Sequence, residues 1–231
     1  MEEREFEMER ELKRYERPSK AESDTDDNER DVNGNPKPPI TYASEGEQEE
    51  FVRVPKNRIG VLIGKKGETK RAIEEKTGTR IEIDSETGEV FIASTKDTKD
   101  PLAVWKARDV VTAIARGFSP ERAFRLFNEG EMLDVIDLTD IVIGNEKNAL
   151  PRVRGRIIGR KGRTREIIEE MSGVYMSVYG KTVALIGNSI QIEIAKAAVE
   201  KLVRGSPHGV VYRFLERRRK DLEGGAGFVE I

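Results

Sequence analysis

The chain has 231 residues, 36% of them charged, and it contains no cysteine, which excludes disulfide bonds, thiol catalysis and cysteine-ligated metal sites. Its 41 basic and 43 acidic residues are unevenly distributed: residues 1–50 hold 8 basic and 17 acidic ones, so the remaining 33 basic and 26 acidic residues carry a net charge of +7. A basic body of this kind suits a polyanionic partner, although charge scattered over the surface gives the same total.

Residues 1–48 are predicted to form a disordered acidic tail. A charged stretch at 2–16 favours a short helix, and the rest is rich in acidic, Ser, Asn, Gly and Pro residues, with too few apolar side chains to order itself. A solubilising extension is the default interpretation, and competition with an anionic ligand for the basic body is the alternative. The tail has no secretion-signal pattern, and the chain has no stretch of membrane-span length, so a cytoplasmic location is expected.

The first folded unit is predicted at residues 49–117 from the periodicity of its apolar side chains. The expected elements are a strand at 51–55, helices at 57–63 and 68–77, strands at 79–84 and 89–94, and a helix at 101–116. A Gly-Lys-Lys-Gly turn at 64–67 joins the first two helices. Residues 118–132 are predicted to be a helical connector, because Ser119 and Pro120 signal a helix start.

The second unit, at residues 133–204, repeats the first. Residues 60–78 read GVLIGKKGETKRAIEEKTG and residues 155–173 read GRIIGRKGRTREIIEEMSG, so that Gly60 corresponds to Gly155 and every other position is shifted by the same interval. The expected elements are a strand within 133–144, helices at 148–158 and 163–171, strands at 174–179 and 182–187, and a helix at 189–202. Gapless identity over this length indicates two small domains of one fold.

The chain ends, at residues 205–231, with a predicted basic helix and a frayed terminus. Ser206 and Pro207 repeat the helix-start signal. The apolar residues of the helix, Val210, Val211, Phe214 and Leu215, are expected to pack down, whereas Arg217, Arg218, Arg219 and Lys220 stay in solvent. A solvated helix face is the default interpretation of the basic run, and an additional contact with RNA or protein is the alternative.

The repeated turn has the features of a device for holding phosphate. Two glycines three apart allow a tight turn with no Cβ between the backbone and a ligand. The helix that follows directs its free N–H groups and the positive end of its dipole to the same place. Lys65 and Lys66 in the first turn, and Arg160 and Lys161 in the second, add full charges. One such turn is weak evidence, but two with the same flanks predict binding of a nucleic-acid backbone.

Both copies resemble KH domains, the RNA-binding modules whose Gly-x-x-Gly loop clamps about four nucleotides of a single strand. The resemblance implies an α+β fold of two tandem type I KH domains, each a three-stranded sheet packed by helices in the order β-α-α-β-β-α. RNA contact is expected at the loops and their basic flanks, namely Gly64, Lys65, Lys66, Gly67 and Lys70 in the first copy and Arg154, Arg156, Gly159, Arg160, Lys161, Gly162, Arg163 and Arg165 in the second. Because the second cluster is denser, we expect it to bind phosphate more strongly. By position, the resemblance also implies grooves for bases at Gly60, Ile63 and Ile81, and at Gly155, Ile158 and Met176, although the isoleucines equally suit a core.

One departure narrows the resemblance. Many KH domains have an apolar residue three positions after the second glycine, where this chain has Lys70 and Arg165. Taken with GKKGETKRAIEE and GRKGRTREIIEE, this is similar to the archaeal branch of the small-subunit assembly KH proteins, over residues 51–222. Their eukaryotic relatives are the partner-of-Nob and Krr-type factors. The family implies binding to the single-stranded 3′ end of small-subunit ribosomal RNA, and two protein partners, the Nob-type endonuclease and the alpha subunit of initiation factor two.

Catalysis has little support in the sequence. His208 is the only histidine, so a histidine triad or a usual zinc site cannot be assembled, and no cofactor is expected. The pairs Glu74–Glu75 and Glu169–Glu170 are better interpreted as solvated or ion-paired glutamates. A non-enzymatic RNA-binding assembly factor is therefore favoured. The alternatives are a KH accessory subunit of an RNA-degradation or transcription complex, and a protein adaptor with unused loops.

Overall fold

A computed structural model of the chain describes residues 48–141 and 149–223. The predictions for the acidic tail before Gln48 and for the terminus after residue 223 lie outside the described residues. Within the described ranges, no helix combines the length and apolar character that crossing a bilayer requires.

The first copy contains the six predicted elements around a three-stranded antiparallel sheet. They are β1 (Glu49–Arg53), α1 (Lys56–Ile63), α2 (Glu68–Thr77), β2 (Thr79–Ile83), β3 (Glu89–Ser94) and α3 (Ala103–Ala115). Strand β3 lies between β1 and β2. Because side chains alternate along a strand, Val90 and Ile92 of β3 face the helices, where Leu62 and Ile73 are also fully buried.

The connector and the second copy follow. Their elements are α4 (Pro120–Ala123), a 3₁₀ turn (Phe124–Phe127), β4 (Met132–Asp137), α5 (Leu138–Ile141), α6 (Ala149–Ile158), α7 (Arg163–Ser172), β5 (Tyr175–Tyr179), β6 (Thr182–Gly187), α8 (Ser189–Val203) and α9 (His208–Glu223). Strand β6 is central in the second sheet. The predicted order β-α-α-β-β-α is confirmed in both copies, with the short helix α5 as an addition in the second.

The strand predicted within 133–144 is confirmed as β4, which ends at Asp137. The Asp137 carboxylate accepts hydrogen bonds from the backbone N–H of Thr139, at 2.9 Å, and from its hydroxyl, at 2.6 Å. These local bonds turn the chain into α5, because an Asp side chain competes with the ladder for backbone donors.

The two domains share a continuous apolar interior. On β6, Val183 and Leu185 face the helices of the second domain, while Ala184 and Ile186 face the opposite way and belong to the core of the first. The connector contributes Leu126 to the same core. Burying a side chain such as Ile186 stabilises the interface by ~2 kcal/mol. The relative orientation of the two domains is therefore held by packing.

Helix α9 is part of the second domain's core. Its Val211 and Leu215 are fully buried, and it packs along α7 and α8. Phe214 is half-buried, with Lys201 Nζ 5.0 Å from its ring centroid. The prediction that Val210 packs down is wrong, since it is 43% exposed.

Candidate nucleic-acid interface

The two Gly-x-x-Gly loops have nearly the same backbone conformation. Gly64 has φ 73° and ψ 178°, and Gly159 has φ 74° and ψ 176°. Among the described residues, Lys66 at φ 54° and Lys161 at φ 52° are the only non-glycine residues with a left-handed backbone. That conformation costs ~1–2 kcal/mol for a residue with a Cβ, so both loops carry the same local strain at a basic, exposed residue.

The first glycine of each loop is required by a threonine beneath it. A Cβ at Gly64 would lie 2.2 Å from Thr69 Oγ1, and a Cβ at Gly159 would lie 2.2 Å from Thr164 Oγ1. Both threonines are buried. The second glycines, by contrast, would place a Cβ in open space and are needed for their positive φ alone. The threonine was visible in the repeat, but its role needed the fold.

Each loop feeds directly into a ten-residue helix whose N-terminus lacks a side-chain cap. Gly67 precedes α2 and Gly162 precedes α7, and neither helix has a capping side chain. The N–H of Glu68 donates to the carbonyl of Lys65, and the N–H of Arg163 donates to the carbonyl of Arg160. The positive end of each helix dipole still lies at the loop, which favours an anion. Four exposed cations, Lys65, Lys66, Arg160 and Lys161, surround these two termini.

The loops differ in charge at the first helical position. Glu68 follows the first loop and Arg163 follows the second. One turn later the charges are reversed, which partly offsets this difference in charge. The first helix has Arg71, which donates to the carbonyl of Lys66 at 2.9 Å, and the second has Glu166, which lies 3.6 Å from Arg163. The carboxylate beside the first loop disfavours phosphate at that position. Stronger binding by the second loop stays a prediction.

Two arginines of the second cluster have structural partners. Arg156 is half-buried and donates to the carbonyl of Leu202, at 3.1 Å, in the last turn of α8, and to that of Ser206, at 2.6 Å, beyond the helix. Arg154 donates to the carbonyl of Gly180 at 2.7 Å. These bonds to backbone acceptors that lie far away in sequence give both arginines a structural role, and their contact with RNA stays a prediction.

Lys70 and Arg165, which departed from the usual KH pattern, occupy equivalent places in the first turns of α2 and α7. Lys70 Nζ lies 3.7 Å from Glu74, and Arg165 Nε lies 3.8 Å from Glu169. Both side chains are half-exposed. Their contact with RNA remains a prediction.

The groove residues separate into exposed and buried ones. Gly60 and Gly155 are exposed, and Ile63 and Ile158, one turn later, are half-buried beside the loops. Ile81 and Met176, however, have no exposed surface. The prediction that these two side chains contact bases is corrected. They pair with Ile92 of β3 and Leu185 of β6, respectively, and face the helices on the inner side of each sheet.

The first glutamate of each Glu-Glu pair joins the loop helix to its sheet. Glu74 accepts a hydrogen bond of 2.8 Å from the N–H of Ile81, and Glu169 accepts one of 2.7 Å from the N–H of Met176. Arg122 of the connector, in addition, lies 2.6 Å from Glu169. These contacts hold the loop helices in place, which sequence spacing alone did not indicate.

Replacing Glu169 by Ala is expected to lower the free energy of unfolding by ~2–3 kcal/mol, because a buried N–H and the Arg122 guanidinium lose their acceptor. Glu74→Ala is the matched control, since Glu74 accepts from the equivalent N–H but has no connector arginine. We expect it to cost ~1 kcal/mol less, as measured by urea denaturation. Equal losses would show that the Arg122 contact contributes nothing.

The described residues form no cluster suited to a metal ion. Within 48–141 and 149–223, no group of three or more His, Asp or Glu residues is placed to hold a metal ion. His208 Nε2 lies 2.9 Å from the carbonyl of Arg156, at the start of α9. The ring thereby joins the start of α9 to the last turn of α6.

The fold and the loops together define the class of protein: each half is a type I KH domain. Strand β3 or β6 is central in its sheet, and a Gly-x-x-Gly loop joins α1 to α2 in the first half and α6 to α7 in the second. Family models agree. A KH-domain model matches residues 49–103, and a model described as eukaryotic type KH-domain (KH-domain type I) matches residues 132–220.

Comparison with known proteins gives the family. The KH domain-containing protein MJ0443 of Methanocaldococcus jannaschii is 48% identical over 174 residues, 75% of each chain. The RNA-binding protein pno1 of Dictyostelium discoideum is 31% identical, over 73% of this chain and 71% of that one. A chain in the crystal structure of the a/eIF2alpha–aDim2p–rRNA complex from Pyrococcus horikoshii OT3 is 73% identical with a TM-score of 0.73, over 77% of this chain and 97% of that one. The chain belongs to the archaeal tandem KH-domain ribosome-assembly proteins, which are related to eukaryotic PNO1.

Proposed function

We propose that this protein is a cytoplasmic, non-enzymatic factor in ribosomal RNA processing that binds single-stranded RNA, at the 3′ end of the small-subunit RNA, through its two Gly-x-x-Gly loops. Curated relatives named pre-rRNA-processing proteins support the process. The solved complex that contains the similar aDim2p chain also contains rRNA, which supports the ligand. The 3′ end is carried over from the family resemblance.

The observation that carries RNA binding is a pair of helical glycines that the fold does not need. Gly60 lies inside α1 and Gly155 inside α6, and a Cβ at either position would meet nothing within 4 Å. A glycine inside a helix costs ~1 kcal/mol relative to alanine. Since neither packing nor φ explains these glycines, the best explanation is close approach of a ligand beside each loop.

The mechanism follows from the loops and these glycines. Loop cations and helix N–H groups hold the phosphates, which supplies affinity that falls with salt. Bases lie beside Gly60 and Ile63, or Gly155 and Ile158, which supplies preference for unpaired nucleotides. Each domain of this kind holds about four nucleotides. Because the shared core fixes the relative orientation of the domains, a strand that reaches both loops gains affinity from both.

Replacing Gly155 by Leu is expected to weaken RNA binding ~10-fold while raising the free energy of unfolding by up to ~1 kcal/mol, because leucine is the better helix former but occupies the approach to the loop. Binding would be measured by fluorescence anisotropy with a labelled strand from the 3′ end of the small-subunit RNA. A scrambled strand and a duplex serve as controls for sequence and structure.

Selective binding of the 3′ strand, weakened in the Gly155→Leu variant, would support the proposal. Equal, weak binding of all three nucleic acids would contradict it and leave a basic adaptor. A variant that loses stability and affinity together would show instead that Gly155 serves the fold.

Two protein partners belong to the same proposal. The alpha subunit of initiation factor two is supported by its presence, as a/eIF2alpha, in the solved complex with aDim2p. The Nob-type endonuclease rests on the family resemblance alone. Binding of each purified partner to the full chain, with and without the RNA strand, would test both.

A further inference from the structure

A groove of about 500 Å³ lies behind the first loop, on the boundary between α2 and the connector. Thr69 and Ala72 of α2 form one wall, and Phe124 of the connector forms the other. Glu68 and Glu121 stand at its rim. None of these five residues is among those predicted to contact RNA. Gly64 of the first loop also lines the groove, so the groove adjoins the proposed RNA surface.

The second domain shows what fills the equivalent space there. By the repeat, Thr69 corresponds to Thr164 and Ala72 to Ile167. Helix α9 packs along α7, and its Tyr212 hydroxyl shares a hydrogen bond of 3.0 Å with Thr164 Oγ1. In the first domain the connector starts with the same Ser-Pro signal but turns away after Phe127. The place of the tyrosine is therefore left open.

The Thr69 hydroxyl faces this open space. The residue as a whole is 6% exposed, but its hydroxyl oxygen is not among the fully buried, unpaired atoms of the described residues, so an occupant of the groove can reach it. A donor or acceptor on that occupant would make the hydrogen bond that Tyr212 makes to Thr164 in the second domain. Ala72, which is smaller than its counterpart Ile167, and the ring of Phe124 leave apolar walls around that hydroxyl.

The rim selects the charge of the occupant. Glu68 and Glu121 both line the groove, and the hydrogen bond from the Ser119 hydroxyl lowers the pKa of the Glu121 carboxyl below its usual value. Two carboxylates repel phosphate and attract Lys or Arg. In the second domain the position of Glu68 is Arg163, so this acidic rim is a property of the first domain alone.

From these observations we propose that the groove is a docking site for another protein, which inserts a tyrosine flanked by basic residues. The tyrosine hydroxyl bonds Thr69, its ring packs between Ala72 and Phe124, and the neighbouring cations pair with Glu68 and Glu121. Such a partner would sit against the back of the first loop, because Thr69 lies directly beneath Gly64. The second loop would stay free for RNA.

The probe for the test is the α9 segment, which fills the equivalent space in the second domain. A fluorescein-labelled peptide with the sequence of residues 208–220, HGVVYRFLERRRK, contains the tyrosine and its basic neighbours. Titrated with the full-length protein, it is expected to bind saturably. Changing its tyrosine to phenylalanine should weaken binding ~5-fold through loss of one hydrogen bond, and changing it to alanine should weaken binding at least ~10-fold.

Two protein variants locate the site. Ala72→Trp fills the groove, and Glu121→Lys reverses the rim charge at an exposed residue. Each is expected to weaken peptide binding at least ~10-fold while leaving RNA affinity unchanged. If the peptide instead displaced α9 from the second domain, neither substitution would change its affinity.

Three results would overturn the proposal: no saturable binding, equal binding of the tyrosine and alanine peptides, or wild-type peptide affinity in both protein variants. If the two variants instead weaken RNA binding as much as loop substitutions do, the groove belongs to the RNA surface. Failure of the RNA proposal is a separate outcome, since it would appear as unselective RNA binding with peptide docking intact.

Discussion

Replacing Arg160 and Lys161 together by Asp is expected to weaken binding of single-stranded RNA ~100-fold at low salt. Each is exposed beside the N-terminus of α7, and two charge-assisted phosphate contacts at ~1.5 kcal/mol each account for that factor. The same change at Lys65 and Lys66 should cost ~10-fold, because Glu68 already weakens the first loop. Fluorescence anisotropy over a series of salt concentrations tests whether lost phosphate contacts cause the lower affinity. Each lost contact reduces the slope of log affinity against log salt concentration by ~0.7.

The matched control for these loop variants is a double Asp substitution of Lys96 and Lys99, two exposed lysines that follow β3. This segment lies at the opposite end of α2 from the loop, where Asp97 contacts the site of Gly78. The double substitution of Lys96 and Lys99 changes the net charge by the same amount as each loop variant does. If the control weakens RNA binding as much as the loop variants do, overall charge and not the loops is responsible.

Replacing Gly159 by Ala is expected to lower the free energy of unfolding by ~3 kcal/mol, whereas Gly162→Ala should lower it by only ~1 kcal/mol. Both glycines have a positive φ, which costs ~1–2 kcal/mol once a Cβ is present. Only at Gly159 does the new Cβ also meet Thr164, at 2.2 Å from its hydroxyl oxygen and 2.8 Å from its backbone nitrogen. Such overpacking adds ~1–3 kcal/mol.

Urea denaturation of the two variants measures the difference directly. The pair is informative because the substitutions are identical and lie three residues apart in one loop. Equal destabilisation would mean that Thr164 moves aside, breaking its hydrogen bond to Tyr212, and that backbone conformation alone dictates both glycines.

The repeat predicted the fold well because its signals are local. The loop helices start after Gly67 and Gly162 and end at Gly78 and Gly173, where glycine permits the left-handed backbone that stops a helix. The periodicity of the apolar residues then assigned the strands. Nothing beyond neighbouring positions was needed for these predictions.

The candidate site was less predictable because its details depend on contacts between distant residues. The structural role of Arg156 could not be predicted, because the carbonyls to which it donates, those of Leu202 and Ser206, are distant in sequence. Met176 looked like a groove residue until the sheet placed it inside. Sequence reasoning interpreted Glu169 as solvated or ion-paired, and its contacts with Arg122 and Arg165 agree with an ion pair. Its hydrogen bond from the N–H of Met176 could not be predicted, because that N–H belongs to the following strand.

Because the two domains share an apolar interior, the boundary between them in sequence does not separate two independently stable units. Ala184 and Ile186 of the second domain complete the core of the first, and the connector's Leu126 lies between them and α3. A first domain cut away near residue 117 would expose that apolar surface to water. The two KH copies therefore form one cooperative folding unit, and truncation is a poor way to divide their activities. Point substitutions within the intact chain separate them without that cost.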